Sequence, residues 1–550
     1  MTGEAYLKER LTRALREKGF VSAGEINVAL ERPKSAEHGD LATNVAMLLA
    51  ARLSRNPREI ANELVEALEL DSNLVSAVEV AGAGFINFRF GAGYYHPALA
   101  DILRLKEKYG RTSWGDGEAV QIEFVSANPT GPLNVVSARA AAVGDVLANL
   151  FDAVGYRVER EYYVNDAGRQ VRLLGQSVSA RYMHLLGQQE PFPEDGYHGE
   201  YIRELAQQFL DEHGERFATL DKAARSKAFS EMALETILAG QKAVLDHYGL
   251  DYDTWFRESK LRADNAHLQV LEKLTAKGHV YEENGAKWFM SSQFGDEKDR
   301  VLVTQDGEPT YFLVDIAYHV NKYERGFAKL VDLWGPDHHG YIARVKAALV
   351  ALGYPKGSFE VNIIQQVNLL RKGEIVKMSK RAGKIIEMKE LLQEVGVDVA
   401  RFFFLARRNQ SPLDFDLDLA KNTSEENPVY YVQYAHARIC NILKHAQARG
   451  VTLPDEARLD LLDQAEEMAL IKKLLEFPDL ISKAARYLEP HRVPTYLQEL
   501  AAVFHRFYHH HRVVTEDAEL TRARLLLVQG TRIVLANALR VLGVSAPEQM

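Results

Sequence analysis

Among its 550 residues the chain has one cysteine, Cys440. A lone thiol excludes an internal disulfide and a cysteine-built zinc site, and it suits a reducing compartment such as the cytoplasm. No apolar run approaches the ~18 residues of a membrane span, and the amphipathic stretch 1–18 is not a signal peptide. Internal repeats, low-complexity tracts and a disordered tail are also missing. Nor is there a Ser/His/Asp or Cys/His arrangement that would indicate a covalent intermediate. Basic residues number 67 against 76 acidic ones, a net charge of −9. That balance excludes a general coater of DNA and leaves room for a selective nucleic-acid reader working through local patches.

What is present is organised in blocks. A single core stops growing at roughly 250–300 residues, so several domains are expected. Residues 1–110 read as a small α+β domain. Leu7, Leu11 and Leu15 recur at helical spacing, Asn56-Pro57 starts a second helix, and Ile86, Phe88 and Phe90 alternate with Asn87 and Arg89 as in a half-buried strand. Three glycines within 110–117 mark a link. From residue 119 short apolar runs at 120–125, 158–164, 330–334 and 359–364 alternate with amphipathic helices such as 138–150 and 341–352. This pattern predicts an α/β domain, a mostly parallel sheet with helices on both faces, over 111–386. A helical insertion is expected at about 173–311, with a strand-like stretch at 287–290, followed by a connecting segment at 387–426. Residues 427–550 read as all-α. They hold 15 basic and 14 acidic side chains, a net of +1, so the first 426 residues carry −10.

Two segments carry chemistry. In Gly131-Pro132-Leu133-Asn134-Val135-Val136-Ser137 a strand ends near Val125 and a turn leads to a helix beginning around Ser137. Ligands of open parallel sheets sit beyond the strands' C-terminal ends, and phosphates favour the following helix N-terminus. Asn134 and Ser137 at that start suit one phosphate; the same turn also suits a purely structural helix start capped by Ser137. The second segment contains Lys377, Met378, Ser379 and Lys380. Residues 365–384 hold six basic side chains and one acidic one, a net of +5. With glycines at 373 and 383 the segment reads as a mobile loop that closes cations over a polyphosphate.

Lys377-Met378-Ser379-Lys380 resembles the second signature of class I aminoacyl-tRNA synthetases, and 131–137 stands where their first signature, a His-x-Gly-His tetrad, belongs. Across all blocks the chain resembles the arginyl-tRNA synthetases. The resemblance runs from His38-Gly39-Asp40 and Ala83-Gly84-Phe85-Ile86-Asn87, through Ser126-Ala127-Asn128-Pro129-Thr130 and Tyr163-Val164-Asn165-Asp166-Ala167-Gly168, to Val432-Gln433-Tyr434-Ala435-His436-Ala437-Arg438 and Leu542-Gly543-Val544. It implies a Rossmann-like doubly wound catalytic domain between an N-terminal tRNA-binding domain and a helical anticodon-binding domain. The implied partners are tRNA(Arg), L-arginine and ATP with Mg²⁺, and the expected form is a cytoplasmic monomer.

The resemblance also implies residue roles. Tyr311 and Asp315, one helical turn apart, read the guanidinium, a planar fork best met by a carboxylate. Glu123 is a second carboxylate for it, Ser126 and Asn128 meet the amino and carboxylate ends, and His338 contacts arginine. Gly131, Pro132, Leu133, Asn134, Ser137, Asp337, His339 and residues 377–380 hold ATP, with Lys377, Lys380, Asn134 and Ser137 as the catalytic set. Asn87, Phe88, Tyr430, Tyr434 and Arg438 contact tRNA, although tyrosines at that spacing also suit a core. No metal ligands are assigned; Asp337, His338 and His339 lack a further ligand at helical spacing. Asn134 and Ser137 replace the signature histidines and cannot become cations. The loss of one preorganised donor costs on the order of 3 kcal/mol, and this raises an alternative, a non-catalytic tRNA-binding relative. Synthetases for glutamate, glutamine or cysteine are disfavoured by Asp315, Glu123 and the single thiol.

Overall fold

The computed structural model describes residues 3–21, 28–33, 35–376 and 386–550. They divide into two compact units, and the division does not follow chain order. One takes Met1–Tyr109, Ile439–Glu476 and Ala502–Val534; the other takes Gly110–Arg438, Phe477–Ala501 and Leu535–Met550.

In the first unit β1 (Leu41–Thr43), β2 (Val75–Ala81) and β3 (Phe85–Phe90) form an antiparallel sheet in the order β1-β3-β2. The helix Gly3–Glu17 buries Leu7, Leu11 and Leu15 against it, and Pro57–Ala67 buries Ile60 and Leu64. Asn56 caps the latter by accepting from the Arg58 N–H at 2.9 Å, with Pro57 in the first helical position where its missing N–H costs nothing. Lys472 Nζ donates to Asp40 Oδ1 at 2.7 Å and Arg32 to Glu476 at 2.7 Å, which ties the helix Ala465–Leu475 into this unit. The expectation that Asn87 and Phe88 read RNA needs correction. β3 is the central strand, so Phe88 is fully buried and Asn87 only 6% exposed, while Arg89 faces outward.

The helix Ala518–Leu542 is, by length and composition, apolar enough to cross a membrane, yet 72% of its apolar stretch is buried inside the protein. Interspersed arginines hide this from a search for an unbroken run.

The second unit is built on five parallel strands. These are β4 (Ala119–Glu123), β5 (Arg157–Val164) and β6 (Thr254–Arg257), then, after an antiparallel sheet of β7 (Val280–Glu283), β8 (Ala286–Phe289) and β9 (Arg300–Val303), β10 (Lys329–Trp334) and β11 (Phe359–Ile363). Their order is β11-β10-β4-β5-β6, so the chain moves one way from β4 and the other way through β10. That reversal opens a crevice at the C-terminal ends of β4 and β10. β12 (Val367–Arg371) pairs with β13 (Glu374–Ile375) and β14 (Leu413–Asp416) in a smaller sheet. β6 lies inside the stretch expected as an insertion and rejoins the central sheet; four residues are too few for a periodic signal.

Side chains alternate across the sheet. Phe124 packs on the helix Val135–Ala153, where a Cβ on Gly144 would stand 2.1 Å from its ring, so only glycine permits that approach. Glu123 points to the opposite face, under the helix Tyr311–Glu324. Helices therefore cover both faces.

The last residues complete this unit. Arg401, 1% exposed, donates to Leu542 O at 2.8 Å and Tyr248 O at 3.1 Å and pairs with Asp145. Gly543 has φ 63°, and a Cβ there would lie 2.3 Å from the Arg401 guanidinium. Gly543→Ala is therefore expected to destabilise the unit by on the order of 2 kcal/mol, through strain plus displacement of a buried charge. A thermal melt lower by several degrees checks this; an unchanged melt removes the lock.

Candidate active site

Glu123 ends β4, and its register partners are Asp332 on β10 and Glu161 on β5. Three carboxylates thus stand in one row on one face of the sheet, Glu123 8%, Asp332 0% and Glu161 0% exposed. Such a row is tenable only with counter-charges, and the helix Tyr311–Glu324 supplies them. Lys322 Nζ donates to Glu123 Oε2 at 2.6 Å and to Asp332 Oδ1 at 2.9 Å. His319 Nε2 lies 2.9 Å from Asp332 Oδ2. Tyr318 donates to Glu161, and Arg325 reaches the same carboxylate at 2.5 and 3.0 Å. Burial works against the Lys322 charge, but Asp332 and Glu123 outweigh it and hold the ammonium above its ordinary range. Burial likewise opposes ionised Asp332, yet Lys322 and His319 hold its carboxyl below the usual value.

Sequence reasoning missed Asp332, Glu161, His319 and Lys322. A signal existed for two of them: Asp315, His319 and Lys322 continue the stripe begun by Tyr311 at i+4 and i+3 steps. The acidic partners follow from strand register, which a single sequence does not display.

Along that stripe the environment grades from open to dry. Tyr311 is 64% exposed. Its hydroxyl donates to the Asn165 side-chain oxygen at 2.7 Å, while the Asn165 amide donates to Ala167 O and Glu258. Asp315 follows with 26% of its side chain exposed, and burial pushes its carboxyl above the ordinary value. Both oxygens of Glu123 are engaged, one by Lys322 and the other by the Ser126 hydroxyl at 2.9 Å. Glu123 thus already serves a cation of the chain, and Asp315 is the carboxylate of this cluster that opens to solvent.

Beyond β4 the backbone is strained. Val125 and Ser126 have φ of 68° and 38°, a region a β-branched residue rarely adopts. Side chains from the surrounding elements fasten this loop. Tyr252 donates to Phe124 O at 3.1 Å, Tyr162 to Ala127 O at 3.1 Å, Gln241 to Gly131 O at 2.8 Å and Tyr201 to Thr130 O at 2.7 Å. The Ser126 hydroxyl accepts from Tyr163 N–H at 3.1 Å, and Asn128 is exposed beside Pro129.

The helix expected to begin around Ser137 begins at Val135, and its cap is Asn134, not Ser137. The Asn134 side-chain oxygen accepts from Val136 N–H at 2.9 Å and Ser137 N–H at 3.2 Å. Its oxygen is committed, so only its amide nitrogen can serve a phosphate. Pro132 and Val136 are exposed and Leu133 is buried. Two residues past Ser137, Arg139 is fully buried and donates to Gln365 O, Arg408 O and Ser411 O at 2.9–3.0 Å; burial alone lowers it to about 10. It fastens the helix start to the chain entering β12. Met388 N–H donates to Leu133 O at 2.8 Å, and Glu387 bridges Asn134, so the chain leaving the basic segment returns to the same turn. Lys377, Met378, Ser379 and Lys380 themselves lie outside the described residues.

Asp337, His338 and His339 sit exposed on the turn Pro336–Tyr341 that follows β10, with the His338 ring 6.2 Å from Trp334. On the helix Pro428–Ala448 the structure brings Tyr430, Tyr434 and Arg438 together. The two rings stack at 6.1 Å and 9°, and the guanidinium lies over Tyr434 at 4.7 Å. Cys440 is buried.

Comparison with known proteins covers the same ground. Three family models match in chain order: the arginyl tRNA synthetase N terminal domain at 5–90, the class I (R) tRNA synthetase catalytic domain at 98–411, and the DALR anticodon binding domain at 432–550. An arginine–tRNA ligase from Carboxydothermus hydrogenoformans is 48% identical, with 100% of this chain and 99% of the relative aligned. One from Desulforudis audaxviator is 49% identical over 99% of each. The structure of Thermus thermophilus arginyl-tRNA synthetase shares the fold, with a TM-score of 0.78 at 24% identity over 99% of this chain and 100% of that one. With every block matched in order and full-length relatives near half identity, the chain belongs to the arginyl-tRNA synthetases.

Proposed function

We propose that the protein is an arginine–tRNA ligase. It joins arginine and ATP into arginyl-adenylate with release of pyrophosphate, then passes the arginyl group to the 3′-terminal adenosine of tRNA(Arg). The observation that carries this reading is the stripe Tyr311–Asp315 at the β4/β10 crevice, an open carboxylate above a charge-compensated floor. Asp315 and Tyr311 take the guanidinium, Ser126 and Asn128 the two ends of the amino acid, and His338 flanks it. The arginine carboxylate then attacks the α-phosphate in line. Gly131, Pro132, Leu133, Asn134 and Ser137 hold the nucleotide at the helix N-terminus, with Asp337 and His339 beyond β10. Lys377, Met378, Ser379 and Lys380 draw charge from the departing pyrophosphate. A terminal ribose hydroxyl next attacks the adenylate carbonyl and AMP leaves. Positioning and charge stabilisation suffice, without a covalent enzyme intermediate.

Mg²⁺ enters with ATP as its counter-ion; among the described residues no group of three His, Cys, Asp or Glu is placed to hold one. Tyr430, Tyr434 and Arg438 offer a stacking face to unpaired bases. The buried single thiol supports a cytoplasmic setting, and we read the enzyme as a monomer. The non-catalytic alternative raised by Asn134 and Ser137 finds no support among full-length relatives named as ligases.

Because the Asn134 cap takes up the Val136 and Ser137 N–H groups, the resting site is short of phosphate donors. A partner that favours the closed form then gains leverage, limited to its differential affinity for that form. Arginine-dependent ATP–pyrophosphate exchange is expected to rise more than about tenfold when tRNA is added, a coupling of at least ~1.4 kcal/mol. Full exchange without RNA would disprove the coupling, and no exchange even with cognate tRNA would disprove the ligase reading.

A further inference from the structure

Both ring nitrogens of His319 face atoms that only accept hydrogen bonds. Nδ1 lies 2.8 Å from the Asp315 backbone oxygen and 3.5 Å from its Oδ1, and Nε2 lies 2.9 Å from Asp332 Oδ2. A neutral imidazole has a single N–H, so one nitrogen lone pair would be pressed against oxygen lone pairs in a dry interior. The doubly protonated ring satisfies both contacts. His319 is 1% exposed and walled by the Phe359 ring at 4.8 Å and Trp334 at 6.4 Å, so protein groups set the contacts of the ring. The charged groups around it are Asp315 and Lys322 on its own helix, Asp332 on β10, and Glu123 on β4 beyond Lys322; Tyr318 adds a hydroxyl already given to Glu161.

With that ring charged, the signs alternate along Asp315, His319, Asp332, Lys322 and Glu123. Three anions and two cations sum to −1, which one guanidinium neutralises. With a neutral ring the sum is −2, and Asp315 is the carboxylate that has lost its cation, since Glu123 and Asp332 keep Lys322. Burial pushes the Asp315 carboxyl up, as it does that of Glu123, and Asp315 takes the proton. A protonated Asp315 cannot read a cation. We propose that His319 is held as an imidazolium in the resting enzyme and, acting through Asp315, is a positioning residue that matches the pocket to a single guanidinium. This rests on the reading of Asp315 given above. Burial opposes the imidazolium, but Asp315 and Asp332 outweigh it and raise the ring's pKa above the ordinary 6.5. The folded-state value is the higher one. The stability that the charge contributes is therefore complete below about 6.5 and lost as pH rises through the raised value.

The test uses the full-length enzyme labelled with ¹⁵N-histidine. At about pH 7.5, where an unperturbed ring is mostly neutral, one buried ring should carry two N–H protons, and it should be absent from the spectrum of His319→Gln. Arginine kcat/KM is then followed against pH with saturating ATP and tRNA. In His319→Gln the acid limb should move to higher pH, because Asp315 becomes harder to ionise. Arginine KM should rise about tenfold at neutral pH, while ATP KM stays unchanged. A purely structural role would not move that limb. A single-tautomer neutral ring in the wild-type enzyme, or an unmoved acid limb in the variant, overturns the proposal. The ring measurement does not involve substrate, so it stands if His319→Gln fails to fold, with His319→Asn then used for assignment. If Asp315→Asn binds arginine normally while the ring is doubly protonated, the guanidinium reading has failed and the imidazolium has not.

Discussion

Asp315→Asn is expected to raise arginine KM by about 10²-fold or more, with the melting behaviour nearly unchanged. The substitution is close to isosteric, so packing survives. The amide cannot balance the guanidinium and presents a donor where an acceptor is required. Removing one partner of a charged, hydrogen-bonded pair costs about 2–5 kcal/mol. No other carboxylate of the cluster can substitute, because Glu123 and Asp332 are both occupied by Lys322. Citrulline, neutral and carrying its own acceptor, should lose far less than arginine, so discrimination between the two should collapse. Steady-state kinetics with both amino acids checks this; unchanged KM and discrimination would return Asp315 to a structural role. The wild-type pH dependence has a definite sign. In the proposed role Asp315 must be ionised to hold arginine, and burial raises its pKa, so affinity is expected to be complete above that value and to fall as pH drops through it.

Lys380→Ala is expected to slow ATP–pyrophosphate exchange by about 10²-fold or more, a few kcal/mol in the transition state. Arginine KM should change little. The reason is charge: residues 365–384 carry a net of +5, a sign that suits the anion leaving ATP and repels the cationic substrate. The described flanks agree with a loop that serves the phosphates, since Met388 and Glu387 return the chain to Leu133 and Asn134. A wild-type exchange rate in the variant would remove Lys380 from the chemistry.

How legible all this was in the sequence depended on the length scale of each feature. β4, β5, β10 and β11 are strands of five to eight residues along which apolar side chains recur, and that pattern locates them within a residue or two. β6, four residues long, escapes it. The stripe Tyr311–Asp315 was visible because helical spacing is a property of neighbours in the chain. Its counterpart was not: Glu123, Asp332 and Glu161 come together only through pairing of strands up to about 200 residues apart, so Glu123 was legible as a second carboxylate for the guanidinium but its pairing with Lys322 was not. The turn into a helix at 131–137 was legible, but the choice of cap turned on a two-residue difference in where the helix starts. Phe88 read as a surface contact because motif resemblance says where a residue falls in a family, not which way its side chain points.

Arg401 has a consequence for how the protein is made. Ribosomes deliver this unit in order, and its sheet, its insertion helices and Arg401 emerge long before Leu542 and Gly543, the residues that close over the guanidinium. Until then Arg401, paired with Asp145, lacks its Leu542 carbonyl acceptor, and the residues 477–501 that also belong to this unit arrive late as well. The catalytic body of a nascent chain is therefore unfinished at its centre until Leu542, 141 residues beyond Arg401, has been added, whereas most domains fold in N-to-C order as they appear. A polypeptide stopped just before Leu542 would hold every residue proposed to touch arginine or ATP and still lack a sealed core. A chain stopped short of Leu542 is therefore expected to be cleaved by proteases more readily than one that includes it.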